Sequence, residues 1–328
     1  MWLTGLVGLL LGGPVQCAPR SVGLVPPPVA LLAKAGGPSR TAAACPPGEA
    51  LELVPRSPDA LPPPSADISE VEDCRTQGCW AWAGWNDRRR MRGTAARLSV
   101  EVPRTSSPAH SLAEVSLHWG EQGEEIVEIG WEVAPRKYGD GDPHLFVHRF
   151  VGGRACENGC PFQRWSARLA PGMSLAPWTG AELPLGWLLW QGRAWAWADG
   201  EWLGAFDLGS GVTPVAIAAQ WFGEVFFLQP PPRVPMGNGR PAADPAAARV
   251  RDVCDVPEGA ETCVVRPIRL PRVTRPATYG LRVDGPGAFR YGGPGEAPGA
   301  PLTPRPPPSS ASGGTPPARG TSAPSPPR

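Results

Sequence analysis

A tryptophan-rich segment with a two-residue turn at its centre constrains the fold most. It reads Arg193-Ala-Trp-Ala-Trp-Ala-Asp-Gly-Glu-Trp-Leu-Gly-Ala-Phe206. Asp199-Gly200 is a strong hairpin-turn signal, and the residues on both sides of it alternate with a period of two. This register places Trp197 directly opposite Trp202 as an aromatic cross-strand pair. The segment therefore predicts a β-hairpin.

The same period of two recurs along the chain, whereas long helical periodicity is absent. Only residues 246–253 are expected to form a short helix. Many short strands separated by glycine and proline predict an all-β sandwich. The further strands are predicted at 96–102, 114–119, 124–134, 145–151, 185–191 and 214–228.

Composition divides the chain into four parts. Thirteen of the 14 tryptophans lie between Trp80 and Trp221, which places the folded domain at 74–295. Residues 18–73 are rich in proline and hold no aromatic residue, so they are expected to be a linker or a pro-region. Residues 296–328 are similar in composition, and a disordered tail is expected there.

The N-terminus is similar to the apolar core of a signal peptide, so residues 1–17 are expected to be a leader with cleavage near Cys17. Lipid anchoring at Cys17 is not favoured, because the residues that usually precede a lipidated cysteine are absent. No other stretch is long and apolar enough to span a bilayer. The mature chain is therefore expected to be secreted.

Six of the eight cysteines form close pairs, which favours local disulfides in an oxidising compartment. None of the pairs has the C-x-x-C spacing that a zinc site prefers. If Cys17 leaves with the leader, Cys45 has no obvious partner. The pairs are Cys74 with Cys79, Cys156 with Cys160, and Cys254 with Cys263.

The charge pattern excludes some partners. A net charge of +1 argues against nucleic acid, and the arginines at 88–90 form an isolated run typical of a solvated loop. His144 and His148 can share a strand face, but no further ligand stands at a convincing spacing for a metal. No cofactor is expected, and nothing in the sequence demands a partner chain, so a monomer is expected.

Glu224 is the only charged residue between Asp207 and Arg233. In a strand it shares its face with Phe222 and Phe226, so it is either a candidate for acid or base chemistry or a water-facing residue on an edge strand. Glu128 lies in a strand whose other face is apolar. Its alternation alone is typical of a solvent-facing acid.

Longer motifs connect these two glutamates. The segment Val127-Glu-Ile-Gly-Trp-Glu-Val133 precedes Tyr138-Gly-Asp140, a Leu-Phe strand and the short loop from Cys156 to Cys160. Trp221-Phe-Gly-Glu-Val225, Met236-Gly-Asn-Gly239 and a closing Phe-Arg-Tyr-Gly-Gly segment follow in order. Over residues 75–295 this order resembles the neprosin family of glutamic peptidases, and the chain looks like a bacterial member.

The resemblance implies a bent antiparallel β-sandwich of the concanavalin or glucanase jelly-roll type. It implies a catalytic pair, Glu128 and Glu224, on one concave face, and peptide or protein substrates cut after proline. The motifs also make Trp131, Tyr138 and Trp221 candidates for the substrate cleft. One glutamate is then the base that activates water and the other the acid, with activity highest in acid. The phenylalanines beside Glu224 favour that residue as the acid.

The sequence departs from the family pattern in several places. Phe222 replaces the first glycine of W-G-G-E, and the cysteine loop is one residue shorter than in plant members. No plant-type activation domain is recognisable in residues 18–73, and several cleft aromatics lack counterparts. These departures weaken the expectation of proline preference more than that of peptidase activity.

Two other functions remain open. A glycoside hydrolase suits a bent β-sandwich rich in tryptophan, but such enzymes often place their acids close together on one strand. A non-catalytic exported binding module is the second alternative, favoured if either glutamate pairs with arginine away from solvent. A serine or cysteine nucleophile is poorly supported, because no G-x-S-x-G occurs and the cysteines are expected to be bonded.

Overall fold

The computed structural model describes most of the chain between residues 15 and 295. The predicted tail at 296–328, most of the predicted leader, and residues 33–43 and 54–72 of the predicted linker lie outside the described residues. The described ranges are 15–21, 23–28, 31–32, 44–53, 73–75, 78–106, 108–152, 154–158, 161–209, 211, 213–229, 232–260 and 262–295.

Nearly all described secondary structure is β-strand, which confirms the all-β prediction. A short helix, α1 (Pro135–Tyr138), and one 3-10 turn (Ala176–Trp178) are the exceptions among the described residues. The strands are β1 (Val15–Pro19), β2 (Glu49–Leu53), β3 (Asp73–Arg75), β4 (Gly78–Ser99), β5 (His110–Trp119), β6 (Glu125–Val133), β7 (His144–Val151), β8 (Arg154–Glu157), β9 (Phe162–Arg164), β10 (Glu182–Trp190), β11 (Arg193–Ala198), β12 (Glu201–Asp207), β13 (Ala216–Phe227), β14 (Ala248–Pro257), β15 (Val264–Val265), β16 (Arg272–Val273), β17 (Gly280–Gly285) and β18 (Ala288–Gly292).

One long strand, β4, joins the two halves of a curled antiparallel sheet. Its residues 79–91 pair with β13, and its residues 93–99 pair with β10. The main order is β8-β7-β6-β5-β13-β4-β10-β11-β12-β9. We call β5–β8, β13 and residues 79–91 the first half-sheet, and β9–β12, β14 and residues 93–99 the second. The arrangement is the bent antiparallel sandwich that the sequence predicted.

The predicted hairpin is present as β11 and β12. Asp199 and Gly200 both have positive φ, at 45° and 87°, as a two-residue hairpin turn of the primed type requires. Trp197 pairs with Trp202 across the strands, with 4.9 Å between the ring centroids.

The inner faces of the two half-sheets pack against each other and form the main core. Alternate residues of each strand point inward, so Val115 and Ile129 from the first half-sheet belong to the same cluster as Leu185 and Trp187 from the second. All four are fully buried. The two half-sheets therefore leave two outer faces, and what lies on those faces distinguishes them.

The outer face of the second half-sheet is covered by residues that the sequence assigned to a linker or pro-region. Leu24 and Leu31 pack with Leu188 and with the tryptophans of that face, which are Trp195, Trp197 and Trp202. We call described residues 15–32 and 44–53 the N-terminal strap. Burial of each leucine contributes about 1.5–3 kcal/mol, so the described parts of this segment are integral to the fold.

Polar contacts fix the strap in place. The indole Nε1 of Trp202 donates to the carbonyl of Pro27 at 3.1 Å, and the Arg20 guanidinium lies 4.2 Å from the ring centroid of Trp165. Further along the strap, the backbone N–H of Leu51 donates to the carbonyl of Ser166 at 2.8 Å. The strap therefore contacts the domain at both of its ends.

Disulfides join Cys74 to Cys79 and Cys254 to Cys263, as the spacing suggested. Cys156 is also disulfide-bonded, whereas its expected partner Cys160 lies outside the described residues. A further disulfide joins Cys17 to Cys45. Cys17 is therefore the partner of Cys45. A cleavage that removes Cys17 would break this disulfide and would cut within β1.

The helix expected at 246–253 is wrong. This stretch lies mainly in β14, which pairs with β4 on one side and β18 on the other. Alanine favours helix, but the pairing buries Val250 and Val253 completely, and this tertiary packing overrides the local preference. A bulge at Asp252, with φ of 53°, corrects the register before Cys254.

Candidate active site

The outer face of the first half-sheet carries four buried glutamates. They are Glu114 on β5, Glu128 and Glu132 on β6, and Glu224 on β13. All four have even numbers on strands whose odd-numbered neighbours enter the core, so alternation places them together on the outer face.

The strand register sets the spacing of this group. β5 lies between β6 and β13, and its Ser116 stands opposite Glu128 while its Leu112 stands opposite Glu224. Glu114 lies midway between those two positions. It is therefore a diagonal neighbour of both Glu128 and Glu224, at about 7–8 Å between Cα atoms.

Glu128 is held by a histidine on the neighbouring strand. His148 of β7 stands opposite Glu128, and its Nδ1 lies 2.6 Å from Glu128 Oε2. Both side chains are buried. With a proton on Nδ1, the imidazole donates to Glu128 and stabilises the ionised carboxylate.

Glu224 has different surroundings. The indole Nε1 of Trp82 donates to its Oε2 at 2.5 Å, and His110 Nε2 lies 3.4 Å from its Oε1. Burial raises the pKa of Glu224; the bond to His110 opposes this rise, and the charge of Glu128 adds to it. Of the two candidate catalytic glutamates, Glu224 is thus placed to keep a proton.

Phe222 does not displace Glu224 from this face. Its ring joins a buried aromatic cluster with Trp80, Trp82 and Phe226. Gly84 stands opposite Phe222 on β4, and a Cβ there would come within 2.2 Å of the Phe222 Cβ. Because Gly84 has no side chain, the neighbouring strand leaves room for Phe222, which stands where the family motif has a glycine.

Tyr138, one of the cleft candidates, borders the group of glutamates. Its hydroxyl donates to Glu132 Oε1 at 2.5 Å, and the Lys137 ammonium contacts both Glu132 and Glu157. Burial disfavours the charge on Glu132, but attraction to Lys137 and His110 and the hydrogen bonds from Lys137 and Tyr138 together outweigh burial and lower the pKa of Glu132. Glu132 is therefore an ion-paired carboxylate.

The other two cleft candidates, Trp131 and Trp221, are wrong. Both lie in the core on the opposite face from the glutamates, and both are fully buried. Trp131 Nε1 donates to the carbonyl of Ser99 at 2.8 Å, and Trp221 stacks on Trp85 at 4.8 Å. Trp131 lies three residues after Glu128, and Trp221 lies three residues before Glu224. Because successive side chains of a strand point to opposite faces, an odd spacing places each tryptophan on the face opposite its glutamate.

Glu114, His110 and His148 are the site residues that sequence reasoning missed. Glu114 is 3% exposed, and its Oε1 has no hydrogen-bond partner among the described residues. Burial, followed by the charges of Glu128 and Glu224, raises its pKa well above the usual range. No sequence motif marks Glu114, and only the position of β5 between β6 and β13 reveals its burial.

Other kinds of site were searched for within the described ranges. They contain no group of three or more histidine, cysteine or acidic residues that could hold a metal ion. No helix among the described residues is both long and apolar enough to cross a bilayer.

Comparisons with known proteins add the following. A family model described as Neprosin matches residues 107–294, more than half of the chain. No curated protein matches it.

Matching solved structures include Scytalido-glutamic peptidase with a peptide-based transition state analog (12% identity, 65% of this chain, 97% of that chain, TM-score 0.40). Another is SCP-B of the Eqolisin family with the tripeptide Ala-Ile-His (12% identity, 65% and 97%, TM-score 0.37). A family 16 endo-glucanase from Bacteroides ovatus also matches (10% identity, 49% and 73%, TM-score 0.29).

Proposed function

The chain belongs to the Neprosin family, and we propose on that basis that it is a secreted glutamic peptidase with Glu128 and Glu224 as its catalytic pair. Membership of this family supports a peptidase of the glutamic type. The observation that carries the residue assignment is the unequal environment of two motif glutamates on one sheet face. His148 Nδ1 lies 2.6 Å from Glu128 Oε2, whereas the pKa of Glu224 is raised by burial.

In this mechanism Glu128 is the general base and Glu224 the general acid. Ionised Glu128 takes a proton from a water molecule as that water attacks the carbonyl carbon of the peptide bond. Protonated Glu224 donates a hydrogen bond to the carbonyl oxygen, where negative charge develops. Collapse of the tetrahedral intermediate then breaks the C–N bond, and the amine leaves with a proton supplied by the site.

The neighbours of the pair fit these roles. His148 stabilises the negative charge on Glu128 and fixes the orientation of its carboxylate. Trp82 donates to Glu224 Oε2, so the proton of a neutral Glu224 lies on Oε1, which also lies 3.4 Å from His110 Nε2. The aromatic cluster around Phe222 keeps water away from Glu224 and so favours its neutral form.

The substrate is a peptide or protein segment, with cleavage after proline as the specificity that the family resemblance implies. Export is supported by the disulfides of the described residues, since such bonds persist in oxidising compartments. Activity is highest in acid, because it requires Glu224 protonated, and it declines as pH rises through the raised pKa of Glu224.

The test is digestion of a proline-rich protein by the purified full chain at several pH values, with the cleavage sites read by mass spectrometry. Glu128→Gln and Glu224→Gln are each expected to lower kcat by about 10²–10⁴-fold, the usual contribution of a general acid or base. The matched control is Glu258→Gln, since Glu258 is exposed and pairs with Arg90 at 3.1 Å. Wild-type rates in both site variants would refute the assignment.

Two outcomes would point to the other functions considered. A folded wild-type chain that binds peptides but cuts none of them would establish a binding module. The contacts of the site do not favour this, because within the described residues neither glutamate pairs with an arginine. Release of sugars from a β-glucan would establish a glycosidase, and Glu132, on the same strand as Glu128, would then be the second acid to test.

A further inference from the structure

Glu114 occupies the centre of the outer face, and the peptidase mechanism has not yet used it. On β5 it stands opposite Gly130 of β6 and Phe222 of β13. The ring of Phe146, which stands opposite Gly130 on β7, packs over this glycine, since a Cβ there would come within 2.8 Å of that ring. The Glu114 carboxyl is therefore placed between the positions of Glu128 and Glu224, one strand and two residues from each.

The burial of Glu114 lacks a structural explanation. Its side chain is 97% buried, since its exposed fraction is 3%, yet its Oε1 has no hydrogen-bond partner within the described part of the chain. A buried polar atom without a partner destabilises the fold, and most such atoms in proteins are satisfied by protein or by bound water. An unsatisfied oxygen at the centre of a polar face therefore indicates a binding position.

Burial and the charges around Glu114 together determine its protonation. Glu128 and Glu132 face it from β6, and Glu224 faces it from β13. The polar neighbours on its own strand are His110, Ser116 and His118, of which the last two bond each other at 2.8 Å. Burial and the nearby carboxylates raise the pKa of Glu114 well above its usual range, so it stays neutral where the proposed enzyme works.

We propose that Glu114 orients the attacking water, accepting one of its O–H groups on a carboxyl oxygen while Glu128 accepts the other. An attacking water with both protons engaged has a lone pair directed at the substrate carbonyl. The proton that leaves the water goes to Glu128, and Glu114 neither gains nor loses a proton. This role rests on the peptidase function proposed above.

Two substitutions separate this role from a merely structural one. Glu114→Gln keeps a neutral group with a carbonyl oxygen in the same place, so it is expected to retain most of the wild-type kcat. Glu114→Leu fills the space but cannot accept a hydrogen bond, so kcat is expected to fall by about 10²-fold with KM little changed. The matched control is Thr94→Val, which removes a buried hydroxyl that donates to the carbonyl of Cys254 in the second half-sheet.

The experiment measures kcat and KM on a peptide across pH, with thermal unfolding of each variant to show that it folds. Glu114→Met serves as a second apolar variant if Glu114→Leu does not fold. Wild-type kcat in the apolar variant would overturn the proposal and leave Glu114 a structural residue. A glutamine variant as inactive as the leucine variant would also overturn it, because the carboxyl would then need to ionise.

Failure of the peptidase function gives a different result. In that case the wild-type chain does not cut, or Glu128→Gln and Glu224→Gln cut as well as the wild type, and both proposals fall. If those two variants are inactive while Glu114→Leu is fully active, only the role of Glu114 is rejected.

Discussion

The two half-sheets share one core but differ on their outer faces. On the second half-sheet the face is aromatic, and the N-terminal strap packs Leu24 and Leu31 against it. On the first half-sheet the same face holds four buried glutamates. Burying apolar side chains stabilises a fold, whereas burying carboxyl groups costs free energy. The first face is thus built at the expense of stability, which is typical of a functional site.

The aromatic face should respond to mutation through stability alone. Trp202→Ala is expected to destabilise the fold by about 3–5 kcal/mol, because it opens a cavity beneath the strap. Trp202→Phe, the matched control, loses chiefly the hydrogen bond to Pro27 and should cost about 1 kcal/mol. Denaturant unfolding measures both, and kcat should remain at the wild-type value under conditions where each variant is folded.

The aromatic cluster of the first face should behave differently. Phe222→Ala is expected to cost about 3–5 kcal/mol as well, but it also admits water beside Glu224. The raised pKa of Glu224 then moves back toward its usual value, so activity declines at a lower pH than in the wild type. A pH–rate profile of the variant checks this. An unmoved decline would show that Phe222 has no influence on the acid.

The disulfide of the strap provides a test on the second face. Replacing Cys17 and Cys45 together by serine removes a bond that spans 28 residues, with an expected loss of about 2–4 kcal/mol. Intact mass and disulfide mapping of the purified chain test the same bond. A mature chain that begins after Cys17 would show that the strap is not held in this way.

The ion pair of Lys137 with Glu132, at the edge of the first face, should make the free energy of unfolding depend on pH. Because the pKa of Glu132 is lowered in the folded state, its ion pair stabilises the fold above the usual pKa and loses this effect as pH falls through the folded value. Lys137→Met should cost about 2 kcal/mol near neutral pH and less in acid. Urea unfolding of this variant and of Lys137→Arg, measured at both pH values, gives the comparison.

Local pattern was sufficient to predict some of these features and insufficient for others. The Asp199-Gly200 turn and the alternation around it fixed a hairpin that needs no distant partner. Glu128 and Glu224 came from motifs, whereas Glu114 required knowledge that β5 lies between β6 and β13. The pairing of β5 with β13 joins segments that are far apart in the sequence, as between Glu114 and Phe222, and no local pattern contains it.

The errors have similar physical causes. Residues 246–253 favour helix locally, but pairing with β4 and β18 makes them a strand. Trp131 and Trp221 were grouped with the cleft because they adjoin the glutamate motifs, although alternation turns them into the core. The assignment of residues 18–73 to a linker or pro-region stays a prediction, but the composition of the segment does not reveal that the strap packs on aromatic residues of the second half-sheet.

Substitutions of Glu128 and Glu224 on the first face are expected to lower kcat strongly without unfolding the chain, whereas substitutions on the second face are expected to change stability alone. The most direct measurement is kcat against pH together with thermal unfolding, on the full chain and on Glu128→Gln, Glu224→Gln and Trp202→Phe. Both glutamine variants are expected to fold and to lose about 10²–10⁴-fold in kcat at every pH, while Trp202→Phe cuts at the wild-type rate with a lower Tm. A folded Glu224→Gln variant that cuts with the wild-type pH profile would contradict it.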